Sequence, residues 1–191
     1  NDKKAVDAIL EEKGVDIPVM AKIEKWEALE HLDEIINAFD GVMVARGDLG
    51  VEIPQEQVPS EQKRIIALAN KTGKPVVIAT QLLETMVESP TPTRAEISDI
   101  ANAIIDGTDA LLVTGETAIG KFPEKVIEVL SKVVLETEQN IDFDNIHQPI
   151  SHHQHTADAI SHATCQIAND MYIGIILTLT HSGSTARMIA R

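Results

Sequence analysis

The sequence predicts an α/β fold: four βα units of a TIM (β/α)8 barrel, followed by the beginning of an α/β C-terminal domain. Three observations predict it. Four short apolar runs, at 17–23, 41–45, 75–80 and 109–114, are bounded by Gly, Pro or Asp. Their continuous apolar character, without alternation, is that of parallel strands buried on both faces. A run with helical spacing follows each strand, and β-α repeated in this way builds a parallel sheet with right-handed crossovers.

Residues 4–12 read as the tail of a helix that precedes the first strand. After strand 17–23, Trp26, Leu29, Leu32, Ile36 and Phe39 recur at three- and four-residue steps and form a core-facing stripe. After strand 41–45, a helix begins near Pro59–Ser60, carries Ile65, Ile66, Leu68 and Ala69, and stops at Gly73, the usual C-terminal glycine. After strand 75–80, Thr93 and Glu96 have the spacing of a capping box ahead of Ile97, Ile100, Ala101 and Ile104. After strand 109–114, Pro123 opens a helix with Val126, Val129, Leu130 and Val133. Four units make half of an eightfold barrel, and this length does not hold the other half.

Residues 142–155 are polar, contain Pro149 and four of the seven histidines, His147, His152, His153 and His155, and read as a linker between a barrel part at 1–141 and a second domain at 156–191. Such a His-rich stretch lacks the fixed geometry of a metal centre. Thr156 to Met171 returns to helical spacing through Ile160, Ala163 and Ile167, Ile175 to Thr180 reads as a fifth strand, and Ser184 to Arg191 as the start of another helix. Both chain ends read as cuts.

The chain has 191 residues, 43% of them hydrophobic, and a formal net charge of -14. The apolar share supports a packed core. The acidic balance disfavours nucleic acid and anionic membrane surfaces as partners. A phosphorylated substrate stays open, because a bound cation or a basic cluster reverses the field locally. No run approaches ~20 apolar residues, so no membrane-spanning helix is expected. Cys165 is the single cysteine. It reads as a small buried residue and, forming no intrachain disulfide, fits a reducing cytoplasmic compartment. His162 reads as structural or solvated.

The chemistry of a parallel barrel sits at the C-terminal ends of its strands. Those ends carry Lys22 and Glu24, then Arg46, Gly47 and Asp48, then Thr80 and Gln81, then Thr114 and Glu116. Glu24 and Asp48, from neighbouring strands, suit one hard divalent cation completed by water and substrate oxygens. Lys22 is a compact positive charge suited to a phosphoryl group in transfer. Gly47 allows close approach, so that its N–H and that of Asp48 can bind a carboxylate. Thr80 adds a hydroxyl. A dianionic substrate, a metal and a lysine point to phosphoryl transfer or to enolate chemistry, and spacing does not choose between them. Singly, each residue has a plainer reading: rim carboxylates, a surface lysine, a strand-end threonine.

The stretches AKIEKWEAL, DGVMVARGDLGVEIP, GKPVVIATQLLETM, PTPTRAEISDIANAIIDGTDALLVTGETAIGKFP and TLTHSGSTARMIAR resemble, in order and spacing, the pyruvate kinase family. The resemblance covers nearly the whole chain. It implies a cytoplasmic glycolytic transferase that moves phosphoryl from phosphoenolpyruvate to ADP, giving pyruvate and ATP, with Mg2+ or Mn2+ and K+. It implies Lys22 and Thr80 as catalytic residues, and Lys22, Gly47, Asp48 and Thr80 as the substrate site. Glu24 and Asp48 become the metal ligands, and Arg94 a residue near a subunit contact of a homotetramer. Thr180, His181, Ser182, Gly183, Ser184 and Thr185 become a loop for the phosphate of an effector, which a hydroxyl-rich turn at a helix N-terminus also suits physically. Thr114 stands where the family commonly has Ser, and His181 at a variable position. Nothing resembles the family's first four barrel strands, its lid domain or its potassium ligands, so this chain alone is expected to be inactive. The competing readings are a phosphoenolpyruvate mutase or aldolase type of Mg-dependent barrel enzyme, and a non-catalytic phosphate-binding half-barrel.

Overall fold

The structure, a computed structural model, describes residues 2–141 and 156–190. The chain divides into two compact units, 1–141 and 142–191. The histidine-rich stretch 142–155 lies outside the described residues.

In the first unit, helix α1 (Asp2–Lys13) precedes strand β1 (Met20–Ile23). Then come α2 (Trp26–Glu30), α3 (Leu32–Ala38), β2 (Gly41–Ala45), α4 (Arg46–Glu52) and α5 (Val58–Thr72). The order continues with β3 (Val76–Ala79), α6 (Arg94–Ile105), β4 (Ala110–Leu112), α7 (Gly115–Ala118) and α8 (Pro123–Asn140). The four strands are all parallel and lie in the order β1-β2-β3-β4. Strands adjacent in sequence are therefore adjacent in space, as in the wall of a (β/α)8 barrel.

The local signals are the expected ones. Thr93 caps α6, its hydroxyl accepting the Glu96 N–H while the Glu96 carboxylate accepts from the Thr93 N–H. Pro123 opens α8. Gly73 ends α5 in the left-handed region, φ 66°, where a Cβ is disfavoured. Two aspartates fasten strand starts: Asp40 accepts from Val19 N at 2.7 Å and Asp109 from Val76 N at 2.8 Å.

The core lies between the sheet and its helices. Val42, Val44, Val76 and Ile78 meet Ile36 from α3, Ile65 and Ile66 from α5, Ile100 from α6 and Val126 from α8. Each such side chain contributes about 1.5–3 kcal/mol on burial. The outer strands differ from the inner ones. Met20 on β1 and Leu112 on β4 are exposed, whereas β2 is buried at four of its five positions.

Three details depart from the sequence reading. The helix after β1 is broken at His31 into α2 and α3. Trp26 is not core: it opens α2 one turn before Leu29, the first residue of that stripe to reach the interior, and is 46% exposed. Three strands are shorter than read: β1 has four residues instead of seven, β3 four instead of six and β4 three instead of six.

In the second unit, α9 (Thr156–Asp170) packs on α10 (Ser184–Ala190). The buried face of α9 is small and mixed, with Ser161 and Ala168 inside and Ile160 and Ile167 exposed. Cys165 is half-buried rather than enclosed, and its thiol donates to the Ile189 carbonyl at 3.4 Å. His162 is exposed. The expected strand at 175–180 does not form among the described residues. Leu177 and Leu179 are 92% and 102% exposed. A strand exists only by pairing, and no paired strand is found among the described residues of this unit.

Candidate active site

All four strand ends of the first unit deliver polar groups to one rim. Lys22 is on β1, and Glu24 follows its last residue. Arg46, Gly47 and Asp48 form the first turn of α4, directly after β2. Thr80 and Gln81 follow β3, while Thr114 and Glu116 follow β4. Parallel register places Lys22 beside Met43 on β2, and Ala45, the last residue of β2, beside Ala79. Glu24 and Asp48 thus leave adjacent strands at the same end of the sheet.

Lys22 joins these two carboxylates. Its ammonium pairs with Glu24 and lies 3.2 Å from Asp48 Oδ2. The Glu24 hydrogen bond first, and the Asp48 hydrogen bond second, raise the Lys22 pKa above its ordinary 10.5, so the side chain is a full cation at neutral pH. These residues, with Lys25, Val51 and Glu52, line an open cleft of about 340 Å³. Two lysines against three carboxylates leave it one net negative charge.

The donor set fits a hard cation. Glu24 Oε2 is shut off from water, with the Lys22 ammonium against it. Both carboxylates touch one nitrogen and so lie within reach of one ion. Among the described residues no cluster of three or more His, Cys, Asp or Glu converges. A cation held here would rest on two carboxylates and complete its shell with water and substrate oxygens, the usual arrangement for Mg2+.

Thr80 meets the first turn of α4. Its hydroxyl accepts the Gly47 N–H at 2.9 Å. That N–H, expected from the sequence to be open to a carboxylate, is therefore already engaged, and a ligand there would have to exchange with the Thr80 hydroxyl. Thr80 and the next residue, Gln81, have φ of 68° and 55°, a left-handed backbone that is unusual for any non-glycine residue and an outlier for a β-branched one.

Two residues named in the sequence only as rim members prove to organise the rim. Arg46 is 7% exposed. It donates from Nε and Nη2 to the Thr80 carbonyl at 3.2 and 2.9 Å, and from Nη2 to the Gln81 carbonyl at 2.9 Å. Its Nη1 donates to Asp99 at 2.6 Å and to Gln62 at 3.4 Å. Glu116 is 2% exposed, and its carboxylate accepts from Leu83 N at 3.1 Å and Thr114 N at 2.9 Å. The backbone after β3 is thus gripped by a cation at one end and an anion at the other. The sequence signal was a charged residue immediately after an apolar strand, which marks both a ligand-facing and an inward-facing group.

Arg94, the first residue of α6, is exposed. In the second unit, the Gly183 N–H donates to Thr180 Oγ1 at 3.0 Å, the Ser182 and Ser184 hydroxyls are 3.0 Å apart, and Arg187 donates to the Ser182 carbonyl at 3.3 Å. His181 and Thr185 belong to the same exposed turn and helix start.

Comparison with known proteins follows the same division. A family description "Pyruvate kinase, barrel domain" matches residues 1–127, and "Pyruvate kinase, alpha/beta domain" matches residues 158–191. A pyruvate kinase of Thermotoga maritima is 54% identical over 179 residues, which are 93% of this chain and 38% of that protein. Pyruvate kinase 2 of Synechocystis is 47% identical over 190 residues, 100% of this chain and 32% of that protein. A crystal structure of a pyruvate kinase from Cryptosporidium parvum superposes with a TM-score of 0.89 at 40% identity, covering 98% of this chain and 40% of that one. The chain spans about two fifths or less of the length of these proteins.

Proposed function

The chain belongs to the pyruvate kinase family, and we propose that the protein carrying it transfers a phosphoryl group from phosphoenolpyruvate to ADP. The observation that carries this reading is the Lys22 ammonium set against Glu24 and Asp48 at adjacent strand ends, with Thr80 and Gly47 joined across the next.

In the reaction the phosphorus–oxygen bond of phosphoenolpyruvate breaks, a β-phosphate oxygen of ADP takes the phosphoryl group, and the enolate left behind gains a proton at its methylene carbon to become pyruvate. Lys22 remains charged throughout neutral pH and stabilises the charge spread over the phosphoryl oxygens in flight. Glu24 and Asp48 would hold the divalent cation, Mg2+ or Mn2+, which would supply positive charge to offset that of the substrate oxygens. The Gly47 and Asp48 backbone and the Thr80 hydroxyl orient the substrate carboxylate, which takes the place of the Thr80 hydroxyl on the Gly47 N–H. Thr80 also places the proton source, its own hydroxyl or a water that it holds, beside the enolate carbon. The family relation further supports K+ as a cofactor, a cytoplasmic setting and a homotetrameric assembly with Arg94 near a subunit contact. Among the described residues no helix is long and apolar enough to cross a membrane. We read Thr180, His181, Ser182, Gly183, Ser184 and Thr185 as a loop for the phosphate of an effector, supported by its hydroxyls and its place before α10.

The test is pyruvate formation from phosphoenolpyruvate with Mg2+ and K+, with and without ADP, by the full-length protein and by the 191-residue chain. ADP-dependent turnover by the full-length protein, with none by the chain alone, is the expected result. Pyruvate formed equally without ADP would replace the kinase by another enolate-forming enzyme, and no turnover by the full-length protein would overturn the assignment.

A further inference from the structure

Thr80 and Gln81 adopt a backbone that their own side chains disfavour. Something outside the loop must hold it, and the structure shows what does. The Arg46 guanidinium donates to both carbonyls of the elbow in one fork, the planar geometry that lysine cannot reproduce. The neighbouring residue, Gly47, donates its N–H to the Thr80 side chain. One dipeptide at the end of β2 therefore fixes both the backbone and the hydroxyl of Thr80. The fork is aimed in turn by Asp99, on α6, and by Gln62, on α5. Arg46 is almost wholly buried, whereas Asp99 is half-exposed and lies on the far side of the guanidinium from Thr80.

We propose that Arg46, steered by Asp99, is the positioning residue of the Thr80 elbow. It sets the direction of the Thr80 hydroxyl and hence the protonation of the enolate, while Lys22 and its two carboxylates work independently of it. This rests on the role given to Thr80 above. Neither Arg46 nor Asp99 touches the reacting atoms. Their contribution is to keep the hydroxyl from drifting, and a misplacement of ~1 Å can lower a rate about 100-fold.

Three variants of the full-length protein test this: Arg46→Lys, Asp99→Asn and, as a control in the same helix, Ile100→Val. Arg46→Lys keeps the charge and the pair with Asp99 but loses the fork. Asp99→Asn keeps a carbonyl acceptor for Nη1 and so spares folding. Two readouts are needed. The first is exchange of the pyruvate methyl protons with D2O, followed by NMR, beside kcat, KM for phosphoenolpyruvate and the Mg2+ activation constant. The second, independent of activity, is amide hydrogen exchange at Gln81 to Leu83.

The expected result for Arg46→Lys is a loss of roughly 100-fold in methyl-proton exchange and kcat, with the Mg2+ activation constant unchanged. Asp99→Asn should follow with a smaller loss, and both variants should speed amide exchange at Gln81 to Leu83, whereas Ile100→Val leaves proton exchange untouched. Arg46→Lys with the proton exchange and amide protection of the unsubstituted protein would overturn the proposal. So would losses in Ile100→Val matching those of Arg46→Lys, which would mark a general structural effect. Absence of ADP-dependent turnover in the unsubstituted protein would sink the kinase reading instead, and the amide exchange would then decide the clamp by itself.

Discussion

Glu116 gives the sharpest test of how the rim is built. Its carboxylate is buried and is the acceptor for two backbone donors, Leu83 N and Thr114 N, which belong to different βα connections. Glu116→Ala strands both N–H groups without a partner, at ~1–3 kcal/mol each, and the emptied volume adds to that. The expected loss is about 3–6 kcal/mol, a large part of the 5–15 kcal/mol that roughly bounds a domain's stability. Glu116→Gln keeps one oxygen and turns an NH2 towards the other donor, so it should lose about half as much, ~1–3 kcal/mol. Urea unfolding of the 191-residue chain, followed by far-UV circular dichroism at neutral pH, measures both. With m of about 1–3 kcal/mol per molar, the Ala variant should unfold at least ~1 M earlier at unchanged m. An Ala variant within ~0.5 kcal/mol of the original chain, or a Gln variant weaker than Ala, would refute the reasoning.

Lys22→Met in the full-length protein should abolish most turnover while leaving Mg2+ affinity in place, and near-normal kcat would remove Lys22 from its proposed role. The Lys22 pKa is raised by Glu24 and then Asp48, so the stabilising ion pair is present below the unfolded value of 10.5 and is lost only as pH rises through the higher folded value. An NMR titration of the Lys22 side chain should show this, and Asp48→Asn should move the midpoint back towards 10.5. At Glu96, burial is the largest influence and pushes the pKa up, but the hydrogen bonds from Thr85 and Thr93 together outweigh it and the net pKa falls below 4.5. Its stabilisation is therefore present above pH 4.5 and lost as pH falls through the lower folded value. Glu96→Gln should cost about 1 kcal/mol of stability at pH 7 and flatten the acid limb of the stability profile, and an unchanged acid limb would count against the assignment. Finally, a Cβ at residue 120 would stand 2.1 Å from the Glu116 carbonyl oxygen, a backbone atom. Gly120→Ala should lower the Tm by about 4–8 °C, and a shift within ~1 °C would show that the turn has room.

The rim shows where local pattern ends and tertiary contact begins. Strands β1 to β3 and helices α5, α6 and α8 were legible because continuous apolar runs, a capping box, Pro123 and Gly73 act within a few residues of themselves. The polar strand ends were legible for the same reason, and with them Lys22, Glu24, Asp48 and Thr80 as candidates. The resemblance then gave those candidates their roles. Whether a charged residue at a strand end faces a ligand or the interior depends on what lies across from it. Asp48 and Arg46 are two residues apart, yet one is exposed beside Lys22 and the other is buried beneath the Thr80 elbow. Glu24 and Glu116 divide in the same way, the first at the cleft and the second stitched to two backbone N–H groups.

The sequence by itself therefore determined the alternation of elements, their caps and the rim on which polar groups collect, since hydrophobic period and cap chemistry are local. Only the tertiary structure decided that Arg46 meets carbonyls 34 and 35 residues away and Asp99 53 residues away, and that Trp26 stays half in solvent. It also decided that 175–180 forms no strand among the described residues. Each of these outcomes is set by a partner distant in sequence, and no local pattern records which partner the folded chain brings into reach.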